Sequence, residues 1–238
     1  MSEHFHILRR LAIEFLVVWM VLFALVYWKI DAVFHVLLQQ FGHSTPIVAS
    51  QILSPILIPL DLAIDVSLFM AIPFALYQIW RFVAPALFTD EKKACRLILC
   101  LSLSLLILGL LFCWFWILPF LFSMLTHGLP QEMVWMPAWQ SYYEFILLIE
   151  TFFAFAFQMP LMMVLLVRLG TISYEQLAQS RSYAIVIAFV LGMLVTPPDV
   201  GSQILVAIPL CLLYELGIRL SMLVRKKITL SNNQTFDL

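Results

Sequence analysis

Long apolar stretches, separated by short polar or proline-containing segments, dominate the chain. Four of them are long enough, at about 1.5 Å per residue, to cross about 30 Å of hydrocarbon as helices. Two shorter stretches of about fifteen residues follow, each spanning roughly 22 Å. They are joined by Thr196-Pro197-Pro198-Asp199, a turn too short to emerge far into water. The pattern predicts six transmembrane helices, at about residues 11–28, 62–82, 97–122, 145–167, 182–196 and 200–215.

These segments predict an all-α integral membrane protein with a single membrane domain over residues 1–227 and a disordered cytoplasmic tail over 228–238. Pro73 and Pro160 lie inside the second and fourth spans, where proline is expected to kink a helix. The last two helices are expected to be short. A pair of helices this short must thin the bilayer or lie deep inside it.

Composition and charge agree with a membrane solvent. The chain is 63% hydrophobic and 11% charged, whereas a soluble domain carries about 25% charged residues. Its Lys and Arg residues, apart from Lys29, fall in four clusters that alternate with basic-poor connections; the clusters are Arg9–Arg10, residues 81–96, Arg168 with Arg181, and residues 219–227. Basic loops face the cytoplasm. We therefore expect both termini to be cytoplasmic, in the inner membrane of a bacterium.

Polar side chains inside the spans are the candidates for function, because each costs roughly 2.5–3.5 kcal/mol at a helix centre. Glu150 and Gln158, eight residues apart, lie about 80° apart around an ideal helix. They are expected to face a water-filled concavity or a partner, or to be satisfied by neighbouring helices. Glu14 is expected to pair with Arg10 or to reach the inner headgroups. Glu215 and Arg219 have the i,i+4 spacing of a structural ion pair.

Nothing in the sequence suggests a hydrolytic or redox site. The five histidines are scattered over both sides of the membrane, and the four cysteines show no metal-ligand or redox spacing. Nucleotide-binding and protease motifs are missing from the sequence. We expect no enzyme activity, no cofactor, no metal and no nucleic-acid partner. A secondary transporter of a small solute or ion, with a midplane site at Glu150 and Gln158, stays open as an alternative.

Two long strings resemble the TatC family, the polytopic receptor subunit of the twin-arginine protein translocase. One is Tyr77-Gln78-Ile79-Trp80-Arg81-Phe82-Val83-Ala84-Pro85-Ala86-Leu87-Phe88 followed by Glu91, similar to that family's first cytoplasmic loop. The other is Gly192-Met193-Leu194-Val195-Thr196-Pro197-Pro198-Asp199, continuing to Ser202-Gln203 and Ala207-Ile208-Pro209, similar to its last outer turn and sixth helix. The resemblance covers nearly the whole chain and implies a concave, glove-like bundle.

The resemblance implies recognition of folded export substrates by a signal peptide carrying two adjacent arginines, with export driven by the proton motive force. In the family, the N-terminal segment and the first cytoplasmic loop form the binding surface. Carried over by motif, the site residues are Glu91, Phe82, Pro85, Leu87, Arg9 and Leu8. Glu91 would pair with signal arginines, because a carboxylate accepts two hydrogen bonds from one guanidinium.

The resemblance also implies partners, the single-span TatA- and TatB-type subunits, and self-association in a receptor complex. The partner helices are expected against the last two spans, near Met193, Thr196 and Gln203, next to the structural turn at Pro197, Pro198 and Asp199.

The chain departs from the family pattern at two positions. Ile7 stands where the family has an acid, and Gln158 stands where it usually has a glutamate. Whether Glu14 or Glu150 compensates stays open.

Overall fold

The computed structural model describes residues 2–39, 54–87, 92–127, 138–196 and 199–236. These residues form a succession of helices. The α-helices are α1 (Ser2–Trp28), α2 (Ile30–Gln39), α3 (Ser54–Met70), α4 (Ile72–Leu87), α5 (Lys92–Phe112), α6 (Leu118–His127), α7 (Trp139–Ala156), α8 (Met159–Arg168), α9 (Tyr174–Gln179), α10 (Arg181–Val195) and α11 (Val200–Phe236); a π-helical segment, Cys113–Ile117, joins α5 to α6.

Five helical stretches are long and apolar enough to cross a membrane, namely Arg9–Trp28, Leu57–Ile79, Leu97–Leu125, Trp139–Arg168 and Val200–Leu223. A sixth apolar helix, Arg181–Val195, has 15 residues. The all-α membrane fold expected from the sequence is therefore confirmed. The number of spans and the side on which the termini lie stay predictions.

Proline interrupts two of the long stretches. The helix breaks at Ala71, two residues before Pro73, and again at Phe157 and Gln158, just before Pro160. Proline has no N–H to donate to the preceding turn and its ring crowds the carbonyl four residues earlier. Helix resumes after one residue at Ala71 and after two at Phe157 and Gln158, within the same apolar stretches.

The C-terminal helix differs from the sequence prediction. Of the two helices expected to be short, only α10 is, because the apolar part of α11 has 24 residues. The charge of Glu215 does not end the helix, since Arg181 and Arg219 both pair with it. Helix α11 also continues to Phe236, through residues expected to be a disordered tail. Adding residues to an existing helix is inexpensive, and neither Gly nor Pro follows residue 217.

The described helices group into two compact units, residues 1–103 with 118–151 (unit 1) and residues 104–117 with 152–238 (unit 2). The core of unit 1 is aromatic: Trp139 packs on Phe34 at 4.9 Å between ring centroids and on Tyr142 at 5.8 Å. The Tyr142 hydroxyl donates to the carbonyl of Leu37 at 2.8 Å. Helix α2 is thus attached to α7.

Unit 2 is held by close helix contacts. Phe112 packs on Phe153 and Phe157, at 5.9 and 5.6 Å between ring centroids. Near its other end, Met163, Leu177 and Ile218 form a buried cluster. The Tyr214 hydroxyl donates to the carbonyl of Leu177 at 2.9 Å, which ties α9 to α11. Ser173 and Gln176 cap α9 reciprocally.

Candidate functional site

Helices α1 and α4, which carry most of the predicted signal-peptide site, are joined by a buried amide. The side chain of Gln78 is 7% exposed, and its Nε2 donates to the backbone carbonyl of Leu11 at 3.1 Å. A buried amide without a partner would cost about 1–3 kcal/mol. The bond therefore favours one placement of α4 against the first helix.

An ionic cluster involves the residues three positions after Leu11 in α1 and three positions after Gln78 in α4. Arg10 Nε lies 2.9 Å from Oε1 of Glu14, and Arg81 Nη1 lies 3.5 Å from Oε2 of the same carboxylate. The expected pair of Arg10 with Glu14 is confirmed. Arg81, from the other helix, was not predicted. We call Arg10, Glu14 and Arg81 the Glu14 cluster.

The predicted signal-peptide residues fall on the two joined helices, with one exception. Leu8 and Arg9 belong to α1, and Arg9 is exposed. The last turns of α4 contain Phe82, Pro85 and Leu87. Glu91, the residue expected to pair with arginines, lies outside the described residues. Its role stays a prediction.

Sequence reasoning missed Gln78 and Arg81 as residues that shape this site. The signal for Gln78 was present, because an amide inside an apolar stretch needs a partner. Its partner could not be identified from the sequence, since it is a backbone carbonyl 67 residues away. Arg81 was assigned only to a basic cluster, although its partner in the fold is Glu14.

The second predicted region is the turn between α10 and α11, within unit 2. Pro197 and Pro198 lie outside the described residues. Asp199 accepts a hydrogen bond from the backbone N–H of Ser202 at 2.8 Å and a short one from its hydroxyl. These bonds, with the Ser202 hydroxyl first, hold the pKa of Asp199 below its ordinary value. Asp199 thus caps the start of α11.

The three residues predicted to contact partner helices differ in what the structure makes available. Met193 is 60% exposed. Thr196 is buried, and its hydroxyl donates to the carbonyl of Gly192 at 2.9 Å. Gln203 Nε2 donates to the carbonyl of Phe189 at 2.9 Å, which ties α11 to α10. Only the methionine offers a large exposed surface; the two polar groups already bond within the chain.

Glu150 and Gln158 are both buried, at 4% and 6% exposure. Glu150 belongs to α7 in unit 1, whereas Gln158 lies in unit 2, in the interruption before α8. Because the helix is broken at Phe157 and Gln158, the 80° separation expected of an ideal helix does not apply. Whether the two residues form a site together stays a prediction.

Relatives of known name resemble the chain over most of its length. The protein from Haemophilus influenzae named Sec-independent protein translocase protein TatC is 37% identical over 203 residues, 84% of this chain and 79% of the relative. Its namesake from Escherichia coli K12 is 34% identical over 215 residues, 89% of this chain and 83% of that one. The Aquifex aeolicus protein of the same name is 36% identical over 233 residues, 95% and 96% of the two chains.

A solved structure has a similar fold. A crystal structure described as the twin arginine translocase receptor TatC superposes with a TM-score of 0.79 at 34% identity, covering 93% of this chain and 99% of that one. The family model named Sec-independent protein translocase protein (TatC) matches residues 3–209. On these matches, the chain belongs to the TatC family of Sec-independent protein translocase proteins.

Proposed function

We propose that this chain is the receptor subunit of a twin-arginine translocase, which binds the signal peptides of folded proteins at the cytoplasmic face of the bacterial inner membrane. Both termini lie in the cytoplasm, and the chain spans the membrane six times. Export is driven by the proton motive force, and the subunit needs no cofactor. The bound ligand is the pair of adjacent arginines of the signal peptide.

The observation that carries this proposal is the junction between α1 and α4. The N-terminal segment and the first cytoplasmic loop form the family's binding surface, and here Gln78 and Glu14 connect the helices that carry them. Two segments about seventy residues apart in the sequence are thereby held next to each other. A signal peptide can contact both at once.

A carboxylate at position 91 supplies the chemistry. A guanidinium presents a planar fork of N–H donors that matches the two oxygens of a carboxylate, whereas an ammonium group is a point charge. Glu91 therefore distinguishes two arginines from two lysines.

We further propose that TatA- and TatB-type subunits assemble against α10 and α11, and that receptor subunits associate with each other. Exposed apolar residues cover most of α10, among them Ile187, Val190, Met193 and Leu194. In lipid such a surface gains from close packing with another apolar helix. Thr196 and Gln203 shape this surface by joining α10 and α11, in addition to any contact that they make.

Photo-crosslinking tests the receptor assignment. A photoreactive amino acid at position 82, with Glu91 left in place, should label a twin-arginine precursor and not its twin-lysine variant. Glu91→Ala should abolish export of twin-arginine cargo while the protein still inserts in the membrane. Asp90→Ala, which removes the neighbouring charge, is the matched control and should retain export. Equal labelling of both precursors, or normal export by Glu91→Ala, would refute the assignment.

The alternative of a small-solute or ion transporter is tested separately. It predicts proton or solute flux by purified protein in liposomes that is lost with Glu150→Gln. Membership of a translocase family favours the receptor over the transporter. We expect no flux above that of empty liposomes.

A further inference from the structure

The Glu14 cluster points to a role in recognition beyond the residues that the family motif identifies. We propose that Glu14 is a positioning residue of the signal-peptide site, which holds the N-terminal segment against the end of α4 through Arg81. The inference rests on the proposed receptor function. It concerns the placement of the site and not a direct contact with the peptide.

The geometry of the cluster supports a bridging role. The Glu14 carboxylate uses a different oxygen for each arginine. Its Oε1 accepts a hydrogen bond from Arg10 of the same helix, and its Oε2 pairs with Arg81 of α4. The side chain of Glu14 is 30% exposed, whereas those of Arg10 and Arg81 are 74% and 51% exposed, so water screens a large part of each pair. A second connection, from Gln78 to Leu11, lies three residues earlier on both helices. The two connections use different residues of each helix, so together they restrain how α4 lies against α1 more than either does alone.

The charges of the cluster argue against direct recognition of the peptide. Two guanidinium groups already share the one carboxylate, so the cluster carries a net positive charge, and Arg9 adds another beside it. An incoming pair of arginines would be repelled there. The carboxylate is thus suited to holding the chain together, and the signal arginines need a different acid.

Positions along the helices explain how the cluster can act on the site. Residues 7 and 14 are seven apart, which places them on one side of α1. The family's acid is missing at position 7, where this chain has Ile7. On α4, Phe82 and Pro85 follow Gln78 and Arg81 by one turn each. The two connections therefore restrain the parts of α1 and α4 that lead into the predicted site.

A double-mutant cycle on peptide binding tests the proposal. The purified full chain in nanodiscs is titrated with a fluorescent twin-arginine signal peptide and with its twin-lysine variant. Glu14→Gln and Arg81→Gln should each weaken twin-arginine binding about threefold to tenfold, the size expected of one or two partly exposed ion pairs. Both changes break the same connection between Glu14 and Arg81. The Kd of the double variant should therefore exceed the higher of the two single-variant Kd values by no more than about twofold.

Glu215→Gln is the matched control. Glu215 also pairs with two arginines, one of them four residues away, and its side chain is 36% exposed. It belongs to unit 2, whereas the described residues of the predicted site belong to unit 1. This variant should bind the peptide as the wild type does. A comparable loss of binding in Glu215→Gln would show a general effect of removing an ion pair and would overturn the proposal.

A distance measurement separates positioning from contact and does not depend on peptide binding. Spin labels at residues 5 and 86, in a chain whose four cysteines are replaced by serine, report the distance between α1 and α4. The distribution should be narrow in the wild type and broaden in Glu14→Gln. A distance distribution that is unchanged in Glu14→Gln would overturn the role of Glu14. So would a binding cycle in which the double variant loses as much affinity as the two single losses multiplied together. Failure of the wild type to prefer arginine would instead refute the receptor function.

Discussion

Gly109 of α5 is a position where one added methyl group should measurably destabilise the protein. A Cβ placed there would lie 2.9 Å from Cγ of Phe157, 3.0 Å from its Cβ and 3.0 Å from the carbonyl oxygen of Phe153. Carbon atoms in good contact are about 3.5–4.0 Å apart. Two of the three neighbours are close to the backbone and cannot swing away. The methyl group therefore forces α5 away from Phe153 of α7 and from Phe157, in the interruption before α8.

The expected size of this effect follows from two opposing contributions. Overpacking a tight core costs about 1–3 kcal/mol. Alanine returns about 0.8–1.0 kcal/mol in a helix, because it restricts the unfolded chain more than glycine does. The net destabilisation of Gly109→Ala is then about 1 kcal/mol. For a chain of this length, that corresponds to a fall of about 2–4 °C in Tm.

Thermal unfolding in detergent, followed by tryptophan fluorescence, measures this change. Phe157→Ala removes Cγ, the nearest of the three atoms, so Gly109→Ala should cost less in that background than in the wild type. Gly170→Ala is an informative comparison, because Gly170 has φ of +71° and no atom lies within 4 Å of the position that its added methyl group would take. Its cost comes from the backbone alone, and Phe157→Ala should not change it. A Gly109→Ala variant as stable as the wild type would refute the packing argument.

Three further changes test the bonds described above. The pKa of Asp199 is lowered from its ordinary value of 3.8, so its carboxylate stabilises the fold above pH 3.8, and this contribution is lost as the pH falls below that value. Asp199→Asn lacks the carboxylate. Between pH 6 and pH 3 its Tm should therefore fall less than the Tm of the wild type. Gln203→Met removes the bond to the carbonyl of Phe189 and should cost about 0.6 kcal/mol, the mean for side-chain hydrogen bonds between membrane helices; a Tm equal to the wild type's would contradict that. Gln78→Met keeps most of the side-chain volume and should cost about 1 kcal/mol, seen as a lower Tm; an unchanged Tm would show that the bond to Leu11 contributes nothing.

Much of the fold was predictable because lipid imposes simple requirements on a sequence. Apolar length identified the long helices, and Pro73 and Pro160 identified the two interruptions. The prediction failed at Glu215, which was taken as the end of the last span. The sequence offered Glu215 one partner, Arg219, but Arg181, 34 residues away, could not be recognised as a second one.

The candidate site was predictable in part, and for a different reason. Similarity to family motifs located the residues of α4 and the turn around Asp199. It said nothing about Glu14 and Arg81, whose pairing depends on how two helices approach each other. Thr196 shows the same limit. A hydroxyl inside an apolar helix suggested a contact with a partner, whereas in the fold it donates to the carbonyl of Gly192, one turn back.

The π-helical segment Cys113–Ile117 has a consequence for how this chain tolerates length changes. A wider turn of this kind amounts to one residue inserted into an α-helix, which advances every later side chain by about 100°. The described chain passes from one compact unit to the other at residue 118, where that wider turn ends. Deleting a single residue among these five would leave an apolar stretch that reads normally on a hydropathy plot. Its buried faces at Leu118 and Leu121 would nevertheless point the wrong way, so homologues should vary here in residue type and not in length.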